Sequence, residues 1–220
     1  MFYRHFVFDL DGTLIDSRQD LADAANAMLA TYDAPPLPVA AVVAMVGEGA
    51  RTLVSRVMAA AGRDGDVEVD EALERFLTAY DARLVATTAP YEGVRETLAT
   101  LHASARVSVL TNKPQAATDR VLEELDLSRH IHAAMGGDTA LGRKPEPAGL
   151  EALIAASDVA PAATVIVGDS WVDVATARAA SIDACLVSYG FGYPGADPEH
   201  RGYARHTIAS FAELTRFVAR

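Results

Sequence analysis

Short runs of apolar and β-branched residues recur along the chain, and each run predicts a buried β-strand. The first run covers residues 3–10 (YRHFVFDL) and ends in acidic residues. Similar runs cover residues 105–111, 164–169 and 183–188, and a weaker one covers residues 131–136. The sequence therefore predicts four main strands and a fifth, weaker one.

Helical patterns separate these runs, with apolar residues at spacings of three and four. The three stripes are Val94, Leu98 and Leu101; Val121, Leu122 and Leu125; and Leu150, Leu153 and Ile154. Strands that alternate with helices predict an α/β fold with a parallel, doubly wound sheet and right-handed crossovers. Ligands of such sheets bind beyond the carboxyl ends of the strands, which here carry Asp9, Thr111 and Asp169.

The stretch between residues 17 and 86 interrupts this alternation. It carries three apolar stripes with helical spacing, and the prolines of residues 35–38 separate the first stripe from the second. About 70 residues of mainly helical pattern are far more than a crossover between two strands requires. We therefore predict a core domain of residues 1–16 and 87–220 and an inserted α-helical cap domain of residues 17–86.

Charge narrows the range of partners. The chain has 220 residues with 30 acidic and 19 basic side chains, which gives a formal net charge of −11. A nucleic-acid-binding surface needs an excess of positive charge, so we expect no nucleic acid partner. A phosphorylated ligand would need a local positive feature, such as a metal ion, to bind to so acidic a chain.

The sequence favours a cytoplasmic protein without membrane partners. The longest unbroken apolar stretch, residues 39–46, is far shorter than the roughly 18 residues of a membrane-spanning helix. Asp9 and Asp11 lie where the apolar region of a signal peptide would have to be, so we expect no export signal. The single cysteine, Cys185, excludes an internal disulfide, and its place in a predicted strand favours a small hydrophobic role.

Asp9 and Asp11 end the first predicted strand, in the segment FDLDGTLIDS. Two carboxylates two residues apart on an extended chain point to the same side, and Gly12 permits a tight turn after them. Neighbouring carboxylates repel unless a cation or a proton separates them, which tunes their pKa values apart. The structural alternative is an Asp-Gly turn or a helix cap. A calcium-binding loop is disfavoured because Thr13 and Leu14 replace the ligand and the glycine that its pattern requires.

Three further polar segments follow the predicted strands. Residues 110–114 (LTNKP) supply a hydroxyl, an amide and a helix-opening proline. Residues 142–147 (GRKPEP) place Lys144 before a proline-initiated helix, and residues 167–173 (VGDSWVD) contain two aspartates four residues apart. Taken singly, each segment has an ordinary explanation as a helix cap or a solvated charge. Together with the first segment they meet at one edge of one predicted sheet, which favours a shared site.

The order DxDGT, [S/T]N, KP and GDSxxD resembles the haloacid dehalogenase-like hydrolase superfamily. The four motifs run from Phe6 to about Asp173, in the order of that superfamily. The helical stretch directly after the first motif resembles the subclass with an α-helical cap. Within that subclass the chain is most similar to phosphoglycolate phosphatase-like enzymes. The resemblance implies a Rossmann-like core and a Mg²⁺-dependent phosphatase.

The resemblance also implies roles for the acidic residues. Asp9 would attack phosphorus to give an aspartyl-phosphate, and Asp11 would protonate the leaving oxygen and then take a proton from water. The carboxylates of Asp9 and Asp169 and the backbone carbonyl of Asp11 would hold Mg²⁺, which needs hard oxygen ligands. Asp173 would steady the metal, directly or through water.

Contacts with the substrate are implied in the same way. Thr111 and Lys144 would hold the nonbridging phosphate oxygens, with Asn112 beside them in the substrate-binding set. Lys144 would also offset charge on the nucleophile. Removing such fixed donors typically costs orders of magnitude in rate.

Features outside these motifs have structural alternatives. A glycine-rich turn like that of residues 47–51 faces the active site in similar phosphatases, so Arg51, or else Arg56, would bind a substrate carboxylate. The alternative is a flexible turn between two helices. Trp171 either shapes the mouth of the site or packs against the cap, and the loop of residues 190–195 is expected only to close the core. The six histidines show no metal-binding spacing tied to the acidic residues.

We therefore expect a phosphatase for a small phosphorylated metabolite, with phosphoglycolate-like phosphomonoesters first, acting as a monomer or a homodimer. A phosphomutase of the same superfamily is the nearest alternative, but mutases generally use a cap lysine and this chain has no lysine before Lys113. A pyrophosphatase or a nucleotidase is a further alternative. A dehalogenase is disfavoured because those relatives lack an aspartate at the position of Asp11. A non-catalytic binding protein on the same fold is least expected, because each catalytic position carries a competent side chain.

Overall fold

The computed structural model describes residues 2–63, 65 and 68–218. Its strands are β1 (His5–Phe8), β2 (Ile15–Asp16), β3 (Ala89–Pro90), β4 (Arg106–Leu110), β5 (Ala133–Met135), β6 (Thr164–Gly168), β7 (Asp183–Val187) and β8 (His206–Ile208). Six of them form one parallel sheet in the order β5-β4-β1-β6-β7-β8. The predicted α/β fold class with a doubly wound parallel sheet is confirmed.

Helices connect the strands and cover the sheet. They are α1 (Arg18–Ala30), α2 (Val39–Val43), α3 (Ala50–Ala60), α4 (Val69–Asp81), α5 (Val94–His102), α6 (Gln115–Glu124), α7 (Ala148–Ala156), α8 (Trp171–Ala179) and α9 (Pro198–Tyr203). Short 3₁₀ segments lie at Ser128–His130, Pro161–Ala163, Tyr193–Gly195 and Phe211–Phe217. The longest helices, α1 and α4, have 13 residues each. Within the described ranges no helix combines the length and the apolarity that crossing a membrane requires.

Strand β1 occupies the middle of the sheet, and its four residues are all buried. It pairs in parallel with β4 on one side and with β6 on the other. In this register Phe8 lies beside the carboxyl-terminal halves of both neighbours. The residues that follow the three strands, including Asp9, Thr111 and Asp169, therefore leave the sheet side by side at one edge.

Alternate residues of the strands divide the core into two apolar clusters, as the two-residue period of a strand requires. Phe6 and Phe8 belong to the first cluster, which also contains residues of α5, α6 and the helices α1–α4. Val7 and Ile166 belong to the second cluster, with residues of α7 and α8. Both faces of the sheet are thus covered, which explains why nearly all residues of its central strands β1, β4 and β6 are buried.

Helices α1–α4 lie between β2 and β3, and we call them the helical insertion. Helix α1 packs against α2, α3 and α4, with the fully buried Met28 and Leu29 on its inner face. The division into a core of residues 1–16 and 87–220 and a cap of residues 17–86 remains our proposal for the domain boundaries. Residues 1, 64, 66, 67, 219 and 220 of those ranges lie outside the described part of the chain.

The two chain segments that enter and leave the helical insertion are tied together. Strands β2 and β3 form an antiparallel ladder that pairs Ile15 with Pro90. Asp20, fully buried in the first turn of α1, accepts hydrogen bonds of 2.7–3.2 Å from backbone N–H and hydroxyl groups of Thr87 and Thr88. Burial alone would raise the pKa of the Asp20 carboxyl, but these hydrogen bonds hold it below its usual value. The base of the insertion is therefore held by this ladder and by one buried, charged side chain.

Strands β2, β3 and β8 were not predicted from the sequence. Strands β2 and β3 have two residues each and β8 has three, so none is long enough to show a period of two. The five predicted strands all occur, with ends that differ by at most two residues from those predicted. Helix and strand ends depend on tertiary hydrogen bonds, which a local pattern does not contain.

His5 adds a pH-dependent contribution to stability. It lies in β1 with no solvent exposure, its Nε2 shares a hydrogen bond of 2.9 Å with Ser108 Oγ, and its Nδ1 has no partner among the described residues. Burial, together with the nearby His132 and Arg106, lowers the pKa of His5 to about 4. The folded protein therefore keeps this histidine neutral at a pH where an exposed histidine is protonated.

We predict that the contribution of His5 to the free energy of unfolding decreases as the pH falls from about 6.5 to about 4, because the unfolded chain binds a proton on His5 first. The full shift of the His5 pKa corresponds to about 3 kcal/mol in the free energy of unfolding. Urea unfolding across this pH range should show a shallower loss of stability for His5→Gln than for the wild type. Equal pH dependence in the two proteins would exclude His5 as the source.

Candidate active site

Three carboxylates gather at the carboxyl edge of the sheet. Asp9 follows β1, Asp169 follows β6, and Asp173 lies in the first turn of α8. All three are buried, and one carboxylate oxygen of each lies within 4.8 Å of the others. Among the described residues, these three side chains lie close enough together to hold one metal ion.

Asp9 has one engaged oxygen and one free oxygen. Its Oδ1 accepts a hydrogen bond of 2.7 Å from the backbone N–H of Leu10 and lies 2.9 Å from the Nζ of Lys144. Its Oδ2 accepts no hydrogen bond from the residues that the structure describes. Burial raises the pKa of Asp9 to about 6, with Lys144 opposing the shift and Asp173 adding to it. The free oxygen is therefore available for a ligand or a reaction.

Asp169 lies deeper and is held by the loop after β7. Its Oδ2 accepts a hydrogen bond of 2.7 Å from the backbone N–H of Gly192. Burial, followed by the charges of Asp9 and Asp173, raises the pKa of Asp169 well above its usual value. The three buried carboxylates form a set of hard oxygen donors that a divalent cation would relieve of mutual repulsion. The residues present thus fit a divalent metal site.

Lys144 lies between two of these carboxylates. Its Nζ is 2.9 Å from Asp9 Oδ1 and 2.6 Å from Asp173 Oδ1, and its pKa is raised because the two charges outweigh the effect of burial. The other oxygen of Asp173 accepts hydrogen bonds from the N–H (3.0 Å) and the hydroxyl (2.7 Å) of Ser170, which caps α8. Both oxygens of Asp173 are engaged by protein groups, so its direct ligation of a metal stays a prediction.

The carboxylate of Asp11 is held in a different environment. Its Oδ1 accepts a hydrogen bond of 2.6 Å from Ser17 Oγ, and the Nζ of Lys113 lies 3.1 and 3.2 Å from its two oxygens. Asp9 and Asp11 therefore have separate partners, although they are two residues apart. The metal contact expected from the backbone carbonyl of Asp11 stays a prediction.

Thr111 and Asn112 follow β4 and line the same cavity as Asp9 and Asp11. The Thr111 hydroxyl oxygen accepts a hydrogen bond of 3.3 Å from the N–H of Lys113, which leaves its proton free to donate. The Asn112 amide donates to the carbonyls of Gly47 and Lys144, each at 2.9 Å. In this structure Asn112 joins the glycine-rich turn to the Lys144 loop, and its predicted contact with substrate stays a prediction.

The cavity has an acidic floor and a largely apolar roof. The floor is the carboxyl edge of the sheet, and the roof comes from the helical insertion. The apolar roof residues are Leu21, Val46, Leu53, Phe76 and Leu77. The turn of residues 47–51 reaches this cavity through the backbone of Gly47, Gly49 and Ala50.

Arg51 and Arg56 are not brought to the acidic residues. Arg51 forms an ion pair with Asp70, and Arg56 forms one of 2.5 Å with Glu48. Their side chains are about half exposed, and neither lines the cavity that contains Asp9. The predicted contact of Arg51 with a substrate carboxylate therefore receives no support from the geometry and stays a prediction.

Sequence reasoning missed Lys113, Tyr80 and the loop after β7. Lys113 and Tyr80 are buried and line the cavity, and the Lys113 ammonium donates to the Tyr80 hydroxyl. Burial raises the pKa of Tyr80 to about 12, so its hydroxyl stays protonated.

The loop of residues 190–195 was expected only to close the core, which is wrong, because Phe191 and Gly192 line the cavity and Gly192 binds Asp169. Trp171, which was expected either to shape the mouth of the site or to pack against the cap, lies beside His200 and lines a neighbouring groove.

The chain is similar to several known proteins. A family described as haloacid dehalogenase-like hydrolase matches residues 6–187. Phosphoglycolate phosphatase of Rhodospirillum rubrum is 42% identical over 217 residues, which cover 96% of this chain and 85% of that protein. Phosphoglycolate phosphatase of Caulobacter vibrioides is 41% identical over 186 residues, which cover 84% of this chain and 78% of that protein. A crystal structure described as a predicted phosphoglycolate phosphatase from Haemophilus somnus has a TM-score of 0.89 and 27% identity, and covers 97% of each chain.

A side chain at Gly12 would collide with the acidic cluster. Its φ is +86°, a conformation that favours glycine, and a Cβ at Gly12 would lie 2.1 Å from Asp169 Oδ2. Gly62 offers a matched comparison, since its φ is +73° and a Cβ there would have nothing within 4 Å. Alanine at either position incurs backbone strain, but only alanine at Gly12 must displace Asp169.

We predict that Gly12→Ala removes the stabilisation that a divalent cation gives to the folded protein, because Asp169 can no longer complete the acidic cluster. The free energy of unfolding should be measured with and without the cation. Gly62→Ala should lose about 1 kcal/mol from strain and keep the wild-type response to the cation. An unchanged cation response in folded Gly12→Ala would show that Asp169 is not needed for metal binding.

Proposed function

We propose, since the chain belongs to the haloacid dehalogenase-like hydrolase family, that it is a Mg²⁺-dependent phosphatase for a small phosphomonoester. The observation that carries the proposal is the environment of Asp9, whose free oxygen lies in a cavity and whose other oxygen is 2.9 Å from a buried lysine. A carboxylate with one held and one free oxygen is suited to nucleophilic attack.

The first chemical step joins Asp9 to phosphorus. The free Oδ2 attacks in line, the bond from phosphorus to the ester oxygen breaks, and an aspartyl-phosphate forms. Asp11 donates a proton to the departing oxygen, which leaves as an alcohol. The hydrogen bond from Ser17 holds the Asp11 carboxylate at the edge of the same cavity.

The second step returns the enzyme to its starting state. Water attacks the phosphorus of the aspartyl-phosphate, and Asp11 takes a proton from that water. The bond between phosphorus and Asp9 breaks, inorganic phosphate leaves, and the Asp9 carboxylate is regenerated. One group therefore serves as acid and then as base, which requires that Asp11 stay close to both oxygens in turn.

The phosphoryl oxygens need donors at fixed positions. Lys144, fixed by Asp9 and Asp173, and the free hydroxyl proton of Thr111 are the side-chain donors that the geometry offers. Asn112 supports this arrangement by donating to the carbonyl of Lys144. Donors fixed before the reaction are worth more than donors that must reorganise during it.

Mg²⁺ is the cation that we propose for the acidic cluster. Asp9, Asp169 and the backbone carbonyl of Asp11 would hold it, with Asp173 beside them. When bound, it offsets the negative charge of the carboxylates and of the phosphoryl group. The bound cation and Lys144 together would supply the local positive field that a chain with a net charge of −11 needs for an anionic substrate.

A phosphoglycolate-like phosphomonoester is the substrate class that we propose. The relatives named phosphoglycolate phosphatase support it, because they are 41% and 42% identical over most of this chain. The apolar roof also favours a small ester, because the helical insertion covers the acidic floor. We further propose action in the cytoplasm as a monomer or homodimer, without nucleic acid or membrane partners.

We predict that the purified chain releases phosphate from 2-phosphoglycolate in the presence of Mg²⁺, that a chelator removes the activity, and that added Mg²⁺ restores it. The panel should include p-nitrophenyl phosphate, pyrophosphate, a nucleoside monophosphate and a hexose phosphate followed for isomerisation. Preference for pyrophosphate, the nucleotide or isomerisation would select one of the alternative functions. No turnover of any compound would contradict the proposal.

We predict that Asp9→Asn lowers kcat by more than about 10³-fold in a protein that folds normally, because an amide cannot form the acyl-phosphate. Asp119→Asn, at an exposed position of α6, is the matched control and should retain wild-type activity. Acid quenching followed by mass spectrometry should find phosphate on Asp9 of the wild type. Near-normal turnover by Asp9→Asn would remove the proposed nucleophile.

A further inference from the structure

The chain contains two lysines, Lys113 and Lys144, and both are buried at the carboxyl edge of the sheet. The proposed mechanism uses Lys144 directly, but it gives Lys113 no part in either chemical step. A buried ammonium is costly unless charged and polar partners surround it. The contacts of Lys113 therefore indicate a specific role.

Lys113 contacts the acid–base residue and the helical insertion at the same time. Its Nζ lies 3.1 and 3.2 Å from the two carboxylate oxygens of Asp11. It also donates a hydrogen bond of 2.5 Å to the hydroxyl of Tyr80 and lies 4.6 Å from the centre of the tyrosine ring. One cation thus joins a core residue to a residue of α4.

Tyr80 is firmly placed on its own side of the cavity. It is 3% exposed, and its ring stacks on Phe76 one turn earlier in α4, with centroids 5.8 Å apart and planes at 13°. The residue before Lys113 makes a second contact of the same kind, since Asn112 donates to the carbonyl of Gly47. Two consecutive side chains of the loop after β4 therefore bind the helical insertion.

We propose that Lys113, held by Tyr80, is a positioning residue for Asp11 and makes the acid–base carboxylate depend on the seating of α4 against the core. The proposal rests on the phosphatase function and on the role of Asp11 given above. Ser17 holds only Oδ1 of Asp11, whereas Lys113 contacts both oxygens. Without Lys113 the carboxylate plane loses its second contact, and small displacements of a reacting group have large effects on rate.

The test compares three substrates that separate positioning from substrate binding. 2-Phosphoglycolate has a poor alkoxide leaving group and a carboxylate. 2-Hydroxyethyl phosphate has a poor alkoxide leaving group without a carboxylate. p-Nitrophenyl phosphate has a leaving group that departs without a proton. The parameter to compare is kcat/KM, which covers the steps up to departure of the leaving group and therefore reports the acid role of Asp11 alone.

We predict that Lys113→Met lowers kcat/KM about 10- to 100-fold for both alkyl phosphates and much less for p-nitrophenyl phosphate. Lys113→Arg should restore part of the loss, because it keeps a cation beside Asp11. Tyr80→Phe, which removes one hydroxyl, should give the same pattern with a smaller amplitude. Tyr32→Phe, which removes the hydroxyl of another tyrosine in the helical insertion away from the cavity, is the control and should leave all three values unchanged.

A double-variant cycle with Asp11→Asn tests whether Lys113 acts through Asp11. We expect Lys113→Met to add little to the loss already caused by Asp11→Asn, because both changes remove the same function. Independent, multiplicative losses would overturn the proposal. A loss confined to 2-phosphoglycolate would also overturn it, because Lys113 would then bind the substrate carboxylate. Equal losses on all three substrates would overturn it too, because they would indicate a structural role.

Failure of this inference differs from failure of the proposed function. If the wild type turned over none of the three esters, the phosphatase function itself would be wrong. If the wild type were active and Tyr80→Phe and Lys113→Met were indistinguishable from it on both alkyl phosphates, only the positioning role would be wrong. Because Tyr80→Phe keeps the ring packed on Phe76, the test does not depend on the stability of a buried lysine variant.

Discussion

The contact of Lys144 with Asp9 and Asp173 is the interaction on which the site depends. Three carboxylates are buried within 4.8 Å of one another, and without a cation their repulsion would oppose folding. Lys144 offsets part of that negative charge. Asp173, which contacts Lys144, also accepts a hydrogen bond from Ser170, the N-cap residue of α8. The same arrangement leaves one oxygen of Asp9 free, so charge compensation and reactivity come from a single set of contacts.

A second constraint separates two aspartates that are neighbours in sequence. Asp9 points to the acidic cluster and Lys144, and its pKa is raised to about 6 by burial. Asp11 points instead to Ser17 and Lys113. The two carboxylates have different lysines as partners, which suits the separate roles that we propose for them as nucleophile and as acid–base group. Lys113 contacts Asp11, and Lys144 contacts Asp9 and Asp173.

The helical insertion is connected to the core by polar contacts at two places. At its base, Asp20 accepts hydrogen bonds from Thr87 and Thr88, where the chain enters and leaves the insertion. Beside the site, the side chains of Asn112 and Lys113 bind Gly47 and Tyr80. The apolar residues between them close the cavity over its acidic floor.

The sequence by itself determined the parallel α/β sheet, the helical insertion and the gathering of Asp9, Thr111, Lys144 and Asp169 at one edge, because strand periodicity and motif order are local properties that the parallel topology converts into proximity. Tertiary structure alone decided the partners of each polar group. No local pattern distinguishes Lys113 from a solvated charge, because its role arises from Tyr80, 33 residues earlier in the chain. In the same way, Gly192 reaches Asp169 because β7 pairs with β6 in the sheet, and Arg51 pairs with Asp70 outside the cavity. Contacts between distant segments depend on how the helices are packed, which is why they could not be predicted from the order of the residues.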